Sequence, residues 1–277
     1  MTRLSDLFHA VLLIAALYSP LPATAAWVAA EAGVYTVTCT PTTCGGPGAV
    51  SDFDGSGGNG ATSAFASLSS ALSGSGRGRA QIIGSAIALP SLGAEAFPTS
   101  GGLVAADAGA MKKYIYQGPD NSLFDLKLSV DGSVGAAQPD QAALVANAAV
   151  ILASSLDFAV DPGAFIGENV ALDPNAMLVT EAYIDFSEAP SLFNLGQQTR
   201  DTTLSFSLDN GDEVFIWASL RVRGDRGAFS DAYSSLELVF TSGNVADLTA
   251  VPLPAPVVLL GSALGTLALW RRRRATE

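Results

Sequence analysis

The sequence predicts an all-β protein, an antiparallel β-sandwich of jelly-roll-like type. Its composition favours strands, since 49% of the 277 residues are hydrophobic, 14% are charged and many of the apolar ones are small. The 28 glycines fit strands joined by turns better than a leucine-rich helical bundle. Eight or nine strand-like segments are bounded by Gly, Asn, Asp or Pro, and none is clearly interleaved with a long helix. Such a series is typical of a two-sheet antiparallel fold.

The segment Leu123–Val134 shows the alternation of a half-buried strand. Every second residue from Phe124 to Val130 is apolar, and charged or hydroxyl residues lie between them. Asp131 and Gly132 follow, and Asp-Gly is a strong turn signal. The sequence therefore predicts a strand that ends at this turn.

Further strands are predicted on both sides of this segment. Lys112–Gln117 is strand-like and is separated from it by turn residues, Gly118–Ser122. Ala176–Ser187 alternates in the same way, and Asp231–Ser242 supplies a closing strand.

The region Thr202–Gly224 is predicted to be a β-hairpin. Apolar and polar residues alternate over Leu204–Leu208 and again over Val214–Val222. The sequence DNGD, Asp209–Asp212, joins the two runs, and Asn-Gly is a frequent hairpin turn. We expect the two strands to pair with each other.

Three other segments are less decisive. Ala61–Leu72 admits a strand or a helix. Ala143–Ser154 is also ambiguous, because its β-branched residues favour a strand and its alanines a helix. Gly76–Leu89 is compatible with one or two strands that leave Arg77 and Arg79 in solvent.

The glycine-rich stretch Gly45–Gly60 is interpreted as a flexible connection, because glycine at this density makes ordering expensive. The first, third, fifth and sixth positions of a calcium loop are matched by Asp52, Asp54, Ser56 and Gly57. The twelfth position is Ser63, where an EF-hand requires a bidentate Glu. A linker is therefore favoured over a calcium site.

The only two cysteines, Cys39 and Cys44, are separated by four residues that include Pro41. In an exported protein this spacing indicates a small disulfide loop across a turn. A zinc site is disfavoured, because two thiols without a histidine need carboxylates to complete a tetrahedral set.

The chain is acidic, with 26 acidic and 14 basic residues and a formal net charge of −12. Without residues 1–26 and 256–277, 24 acidic and nine basic residues remain, and the middle of the chain carries −15. A surface of this charge repels phosphate backbones and anionic head groups. We expect no nucleic-acid partner.

Residues 1–26 have the parts of a secretory signal peptide. Arg3 precedes the apolar stretch Leu7–Leu17, which is too short to be retained across a bilayer core of about 30 Å. The segment closes on small residues that suit signal peptidase. We predict cleavage after Ala25 or Ala26.

The C-terminal end also has three parts. The first is the motif VPLPA, made of Val251, Pro252, Leu253, Pro254 and Ala255. Its prolines favour extended backbone. The second part, Val257–Trp270, reaches only about 21 Å as a transmembrane helix. The third is the stop-transfer cluster of Arg271, Arg272, Arg273 and Arg274. The positive-inside rule keeps this cluster in the cytoplasm, so the chain before Val251 lies outside.

This order of motif, apolar helix and arginine cluster resembles the sorting signal of the PEP-CTERM class, in its VPLPA variant. The resemblance implies recognition by an exosortase, a membrane-embedded enzyme of Gram-negative bacteria that make exopolysaccharide. It implies cleavage near the motif, transient contact with the inner membrane, and release or transfer to the cell surface. The stretch Asn210–Thr241 is also similar to exported proteins of this class, whose ectodomains are commonly β-sandwiches. A retained C-terminal anchor is the alternative.

These observations divide the chain into four parts. Residues 1–26 are the signal peptide, and 27–60 form an exported segment with the cysteine loop and the linker. Residues 61–250 form the sandwich, and 251–277 the sorting signal. We expect a non-enzymatic surface or extracellular-matrix protein associated with exopolysaccharide or biofilm. A carbohydrate-binding module is the alternative, in which exposed aromatic residues stack on sugar rings: Tyr114, Tyr116, Trp217 or Tyr233.

An enzyme is disfavoured, because the only histidine, His9, lies in the signal peptide. Catalytic triads that use histidine are thereby excluded from the mature protein. A glycosidase needs two facing carboxylates. Its candidates are Glu168, Glu181, Asp185 and Glu188, and nothing in the sequence pairs them.

No cofactor is expected, apart from calcium as a lesser alternative. Five acids lie in predicted turns, where a cation could bridge loops: Asp120, Asp131, Asp209, Asp212 and Asp231. Turn chemistry explains their placement without a cation.

Overall fold

The computed structural model of the protein describes residues 27–40, 44, 49–59, 61–84, 87–136, 141–153, 176–186 and 195–250. The contacts within the chain define Ala26–Val251 as one compact unit. The predicted signal peptide and sorting signal, including its transmembrane helix, lie outside the described residues.

The described residues form thirteen β-strands. The strands are β1 Trp27–Thr38, β2 Val50–Asn59, β3 Thr62–Ser70, β4 Gly74–Ile82, β5 Ser91–Pro98, β6 Gly102–Tyr116, β7 Ser122–Gly135, β8 Ala142–Leu152, β9 Met177–Asp185, β10 Leu195–Leu208, β11 Glu213–Asp225, β12 Phe229–Ser242 and β13 Leu248–Ala250. A 3-10 turn, Val245–Asp247, precedes β13. Among the described residues, no helix has the length and apolar character needed to cross a membrane.

The strands form two sheets in which every pairing is antiparallel. The seven-stranded sheet has the order β2-β1-β6-β11-β8-β9, and β13 also pairs with β6. The six-stranded sheet has the order β10-β7-β12-β5-β4-β3. The two sheets share one hydrophobic cluster between them. The prediction of an all-β antiparallel sandwich is confirmed.

Small residues let the two sheets approach closely at one place. On β4, Gly76 and Gly78 point inward, and Arg77 and Arg79 point outward. A Cβ atom at Gly78 would lie 2.6 Å from the backbone oxygen of Asp107 on β6. The alternating glycines and arginines of this segment therefore belong to one strand, with a backbone-to-backbone contact on its inner side.

The predicted hairpin is wrong. The turn Asp209–Asp212 exists, and Gly211 has a φ of 91°. However, β10 pairs with β7 in the six-stranded sheet, and β11 lies between β6 and β8 in the other sheet. Two strands that bury the same alternating set can face each other across a core as well as pair edge to edge, and the turn sequence does not distinguish the two.

The predicted linker is also wrong, because Gly45–Gly60 contains strand β2. Asp54 Oδ2 accepts a hydrogen bond from the amide of Phe65 at 2.8 Å, and Asp52 Oδ2 accepts one from Ser67 at 2.8 Å. Phe65 and Ser67 belong to β3, the edge strand of the six-stranded sheet. The aspartates satisfy edge amides that would otherwise be open to another strand.

The remaining ambiguities are decided in favour of strands. Ala61–Leu72 contributes β3, and Ala143–Ser154 contributes β8. The turn predicted at Asp131 and Gly132 is wrong, because β7 continues to Gly135. A Cβ at Gly132 would lie 2.4 Å from Leu144 Cδ1, so this glycine makes room for a core side chain instead of a turn.

Candidate ligand-binding face

The outer side of the seven-stranded sheet carries an open surface, which we call the glycine-floored face. Its first row of cross-strand partners is Phe53, Gly33, Asp107, Arg221, Val145 and Asp185. Its second row is Gly55, Glu31, Gly109, Ser219, Asn147 and Tyr183. Tyr35 lies beside the first row on β1. Six strands at the usual spacing make this face about 24 Å wide.

Two carboxylates lie over glycines on the central strands of this face. A Cβ at Gly33 would lie 2.9 Å from Asp107 Oδ2, and one at Gly109 would lie 3.2 Å from Glu31 Oε1. Each acid therefore extends over the backbone of the neighbouring strand. The result is a shallow floor that presents carboxylate oxygens as hydrogen-bond acceptors.

The charges on this face nearly balance. Burial raises the pKa of Asp107, and the guanidinium of Arg221 opposes that shift. Arg221 and Arg223 are exposed. The glycine-floored face therefore carries three acidic residues, Asp107, Glu31 and Asp185, and two basic ones, Arg221 and Arg223. The face thus offers donors and acceptors with little net charge.

Aromatic side chains border the glycine-floored face at both ends. Tyr35 is 41% exposed and Phe53 is 55% exposed, on β1 and β2. Tyr183, on β9 at the opposite edge, is 52% exposed and donates a hydrogen bond to Asp185 Oδ2 at 3.0 Å. These residues present flat apolar rings to solvent. None of the three was predicted from the sequence as a ligand-contacting residue.

The other half of the same outer surface is covered. Met111, Ile151, Phe215 and Trp217 belong to a second buried apolar cluster. Beside it, Lys113 Nζ lies 2.6 Å from Glu213 Oε2. The prediction of Trp217 as an exposed stacking residue is wrong, because only 8% of it is exposed.

Tyr114 and Tyr116 are also wrong as candidate stacking residues. Both point into the core from β6 and are fully buried. The Tyr114 hydroxyl donates to the carbonyl of Ala88 at 2.8 Å, and that of Tyr116 donates to the carbonyl of Pro119 at 3.2 Å. Burial raises the pKa of Tyr114. Alternation predicts that such residues share a face, but it does not say which face is buried.

The fourth predicted aromatic, Tyr233, is partly exposed on the outer side of the six-stranded sheet. It forms an arginine–tyrosine cluster with Arg77, Arg79 and Glu95. The guanidinium carbons lie 4.3 Å (Arg77) and 5.2 Å (Arg79) from the ring centroid. Arg77 makes a bidentate pair with Glu95 at 2.5 and 2.8 Å. The ring of Tyr233 is thus already in contact with two cations.

A β-bulge builds this cluster. The register of β12 against β5 shifts between Ala232 and Leu236, which lifts the chain at Tyr233. A Cβ at Gly93 would lie 1.7 Å from the Tyr233 carbonyl oxygen, so only glycine fits beneath the bulge. Arg79 donates to the same oxygen at 3.3 Å.

A cleft of about 540 Å³ adjoins this sheet. Residues of β7, β12 and the chain before β5 line it, among them Ile87, Ser91, Ser129, Asp131 and Glu237. Asp131 accepts a hydrogen bond from the Thr199 hydroxyl. The lining of the cleft thus includes one predicted turn acid, Asp131, and a carboxylate without a sequence motif, Glu237.

The other predicted carboxylates are dispersed. Glu181 and Asp185 lie on the outer side of edge strand β9, where Asp185 accepts the hydrogen bond from Tyr183. Glu168 and Glu188 lie outside the described residues. The described pair is therefore placed on a flat surface, and not in the cleft.

Three of the predicted turn acids meet at one end of the sandwich. Asp209 Oδ1 accepts the amide of Asn121 at 2.7 Å, and Asp120 Oδ1 accepts the amide of Asn210 at 2.9 Å. Asp212 Oδ2 accepts the amide of Asp209 at 2.8 Å. These carboxylates join two turns through backbone amides, as turn chemistry predicts. The calcium alternative stays a prediction.

The predicted disulfide between Cys39 and Cys44 is confirmed. Asp225 Oδ1 lies 3.6 and 3.5 Å from the two sulfurs. Arg226 pairs with Asp225 Oδ2 at 3.0 Å and donates to the carbonyl of Thr40 at 3.3 Å. The disulfide therefore packs the loop after β1 against the turn between β11 and β12.

Comparisons with known proteins give a weak structural similarity and no sequence match. No protein-family model matches the chain, and no curated protein matches it. One similar solved structure is described as "Structural basis for the promiscuous specificity of the carbohydrate-binding modules from the beta-sandwich super family". The similarity covers 74% of this chain and 84% of that chain, with 8% identity and a TM-score of 0.26. No functional conclusion is drawn from it.

Proposed function

We propose that this chain is an exported, non-enzymatic surface or matrix protein, sorted by an exosortase and associated with exopolysaccharide. The boundaries of the folded unit carry the proposal. The compact unit spans Ala26–Val251, so its limits coincide with the predicted signal peptidase site and with the first residue of the VPLPA motif. Cuts at both places would leave every described strand intact.

The disulfide also supports export. Cys39 and Cys44 form a bond that persists in oxidising compartments and is rare in the cytosol. The acidic body keeps an exported protein soluble and away from anionic surfaces.

A carbohydrate-binding role is the second candidate function. The observation that favours it is the glycine-floored face, where exposed rings of Tyr35, Phe53 and Tyr183 surround polar side chains. A surface that combines exposed aromatic rings with polar side chains is suited to ligands such as sugars, which have apolar ring faces and many hydroxyl groups.

The sorting proposal is tested by intact-mass analysis of protein recovered from producing cells. We expect an N-terminus at Ala26 or Trp27 and loss of the four arginines Arg271–Arg274. Replacing both Pro252 and Pro254 by alanine should block the C-terminal cut, because the motif would no longer hold extended backbone. Pro256→Ala, just outside the motif, is the matched control. Native protein that still carries Arg271–Arg274 would refute exosortase processing.

A further inference from the structure

We infer that the glycine-floored face binds a neutral polysaccharide chain lying across the strands. The inference rests on the proposed association with exopolysaccharide and names its site and the ligand class. The face is the open half of the outer side of the seven-stranded sheet, and it runs from β2 to β9, with Tyr35 and Phe53 at one end and Tyr183 at the other.

The shape of the face suits an extended, flat ligand. Gly33 and Gly109 remove side chains from its centre, and Ala105 and Ala143 continue the low surface beside them. The aromatic rings stand at the two ends, separated by about 24 Å of sheet. A chain of several sugar rings can therefore contact both ends while its hydroxyls lie over the centre.

The rings at one end are available for stacking. Within the described part of the chain, neither Tyr35 nor Phe53 contacts another aromatic ring or a cation. Phe53 leans over Gly55, where a Cβ would lie 3.3 Å from its ring. The absence of a side chain at Gly55 therefore leaves room for the Phe53 ring, and 55% of Phe53 is exposed.

The polar centre matches hydroxyl groups. Asp107 and Glu31 place carboxylate oxygens over the floor, and Arg221 supplies a planar donor group beside Asp107. Asn147 and Ser219 lie in the adjoining row. Vicinal hydroxyls donate and accept at once, so this mixture of acceptors and donors can pair with them.

Charge selects a neutral polysaccharide over an acidic one. The face has three acids and two arginines, and the middle of the chain carries −15. A polyanion would be repelled by the body and would find no surplus of cations at the site. Phosphate-bearing and uronate-rich chains are therefore disfavoured.

The test is a glycan array of neutral and uronate-containing oligosaccharides, probed with the protein recovered from producing cells. We expect retention on neutral glycans that changes little with ionic strength, because no ion pairs are involved. Calorimetry on the best neutral glycan then measures the variants. Phe53→Ala and Tyr35→Ala should each weaken binding about three- to tenfold.

Phe65→Ala is the matched control, because Phe65 is 48% exposed on the outer side of the other sheet. Its affinity should stay within about twofold of wild type. Tyr35→Phe keeps the ring and should retain binding, and melting curves verify that each variant is folded. Three outcomes would overturn the inference: a preference for uronate glycans, a lack of binding to every neutral glycan, or equal losses of affinity in Phe65→Ala and Phe53→Ala.

Glycan binding and C-terminal processing are measured separately. A failure of the binding test therefore does not contradict the sorting proposal, and retention of the four arginines does not contradict the binding inference.

Discussion

The aromatic residues on the outer faces of the two sheets differ in their surroundings. On the seven-stranded sheet, Tyr35 and Phe53 lie beside glycines and expose about half of their surface. On the six-stranded sheet, Tyr233 lies above Gly93 and contacts the guanidinium groups of Arg77 and Arg79. Glycines are important on both faces. On the seven-stranded sheet their missing side chains leave a low surface, and on the six-stranded sheet Gly93 leaves room for the bulged backbone of β12.

The difference shows that exposure alone does not make an aromatic residue available to a ligand. Two guanidinium groups already contact the Tyr233 ring, and any ligand must compete with them. Among the described residues, no aromatic ring or cation contacts the rings of Tyr35 and Phe53. Of the two faces, the glycine-floored face is therefore the better candidate for the proposed binding, and the arginine–tyrosine cluster is explained by local packing.

The largest expected effect is on the bulge. Gly93→Val should destabilise the protein by about 3 kcal/mol, because its Cβ would overlap the Tyr233 backbone and not a movable side chain. Chemical denaturation measures the change. Gly101→Ala is the control, since no heavy atom lies within 4 Å of its Cβ position. Similar values for the two variants would show that the bulge is not tightly packed.

A smaller effect is expected from the ion pair that holds Arg77 in place. Glu95→Gln should cost about 1 kcal/mol of unfolding free energy, because the Glu95 side chain is only 11% exposed while Arg77 remains half in solvent. Asp201→Asn removes the exposed partner of Lys127 on the same sheet and should cost less than about 0.5 kcal/mol. Urea titrations at matched pH compare them. A larger loss in Asp201→Asn would contradict this ranking.

The smallest expected effect concerns how the stability of the protein depends on pH, and its sign differs between Asp107 and Asp125. Burial raises the pKa of Asp107 above 3.8, so its contribution to stability is present below that value and is lost as pH rises through the raised pKa. Hydrogen bonds from Ser205 and Ser242 lower the pKa of Asp125, so its contribution is present above 3.8 and is lost as pH falls through the lowered pKa.

Unfolding titrations at about pH 3 and about pH 6 separate the two acids. The change in unfolding free energy that Asp107→Asn causes relative to wild type should be more stabilising at the higher pH than at the lower pH. The change that Asp125→Asn causes should be less stabilising at the higher pH. Changes of the same sign in both variants would contradict the assigned causes.

Alternation in the sequence predicted most strands and the sandwich, because a period of two places apolar side chains on one side of any strand. It did not predict strand pairing. The turn at Asp209–Asp212 was expected to close a hairpin, yet it joins strands of different sheets. Glycine density also misled at β2, where Asp52 and Asp54 make side-chain bonds to another edge strand.

The candidate face could not be predicted from the sequence either, because alternation does not predict which strands pair. Phe53 lies in the presumed linker, and Tyr35 and Tyr183 were not selected, while three of the four selected aromatics are buried. Residues from six strands share this face only because of the strand order. An alternating pattern identifies residues on a common side, but burial of that side depends on what packs against it.

By itself, the sequence predicted the all-strand fold class and the disulfide, which the structure confirms, and the export signals at both ends, which stay predictions. Each of these depends on residues close together in the chain. The tertiary structure alone decided which strands pair, which aromatics are exposed, and that glycines of β1 and β6 form a floor between distant rings. Those features depend on contacts between residues far apart in the chain, for which local alternation carries no information.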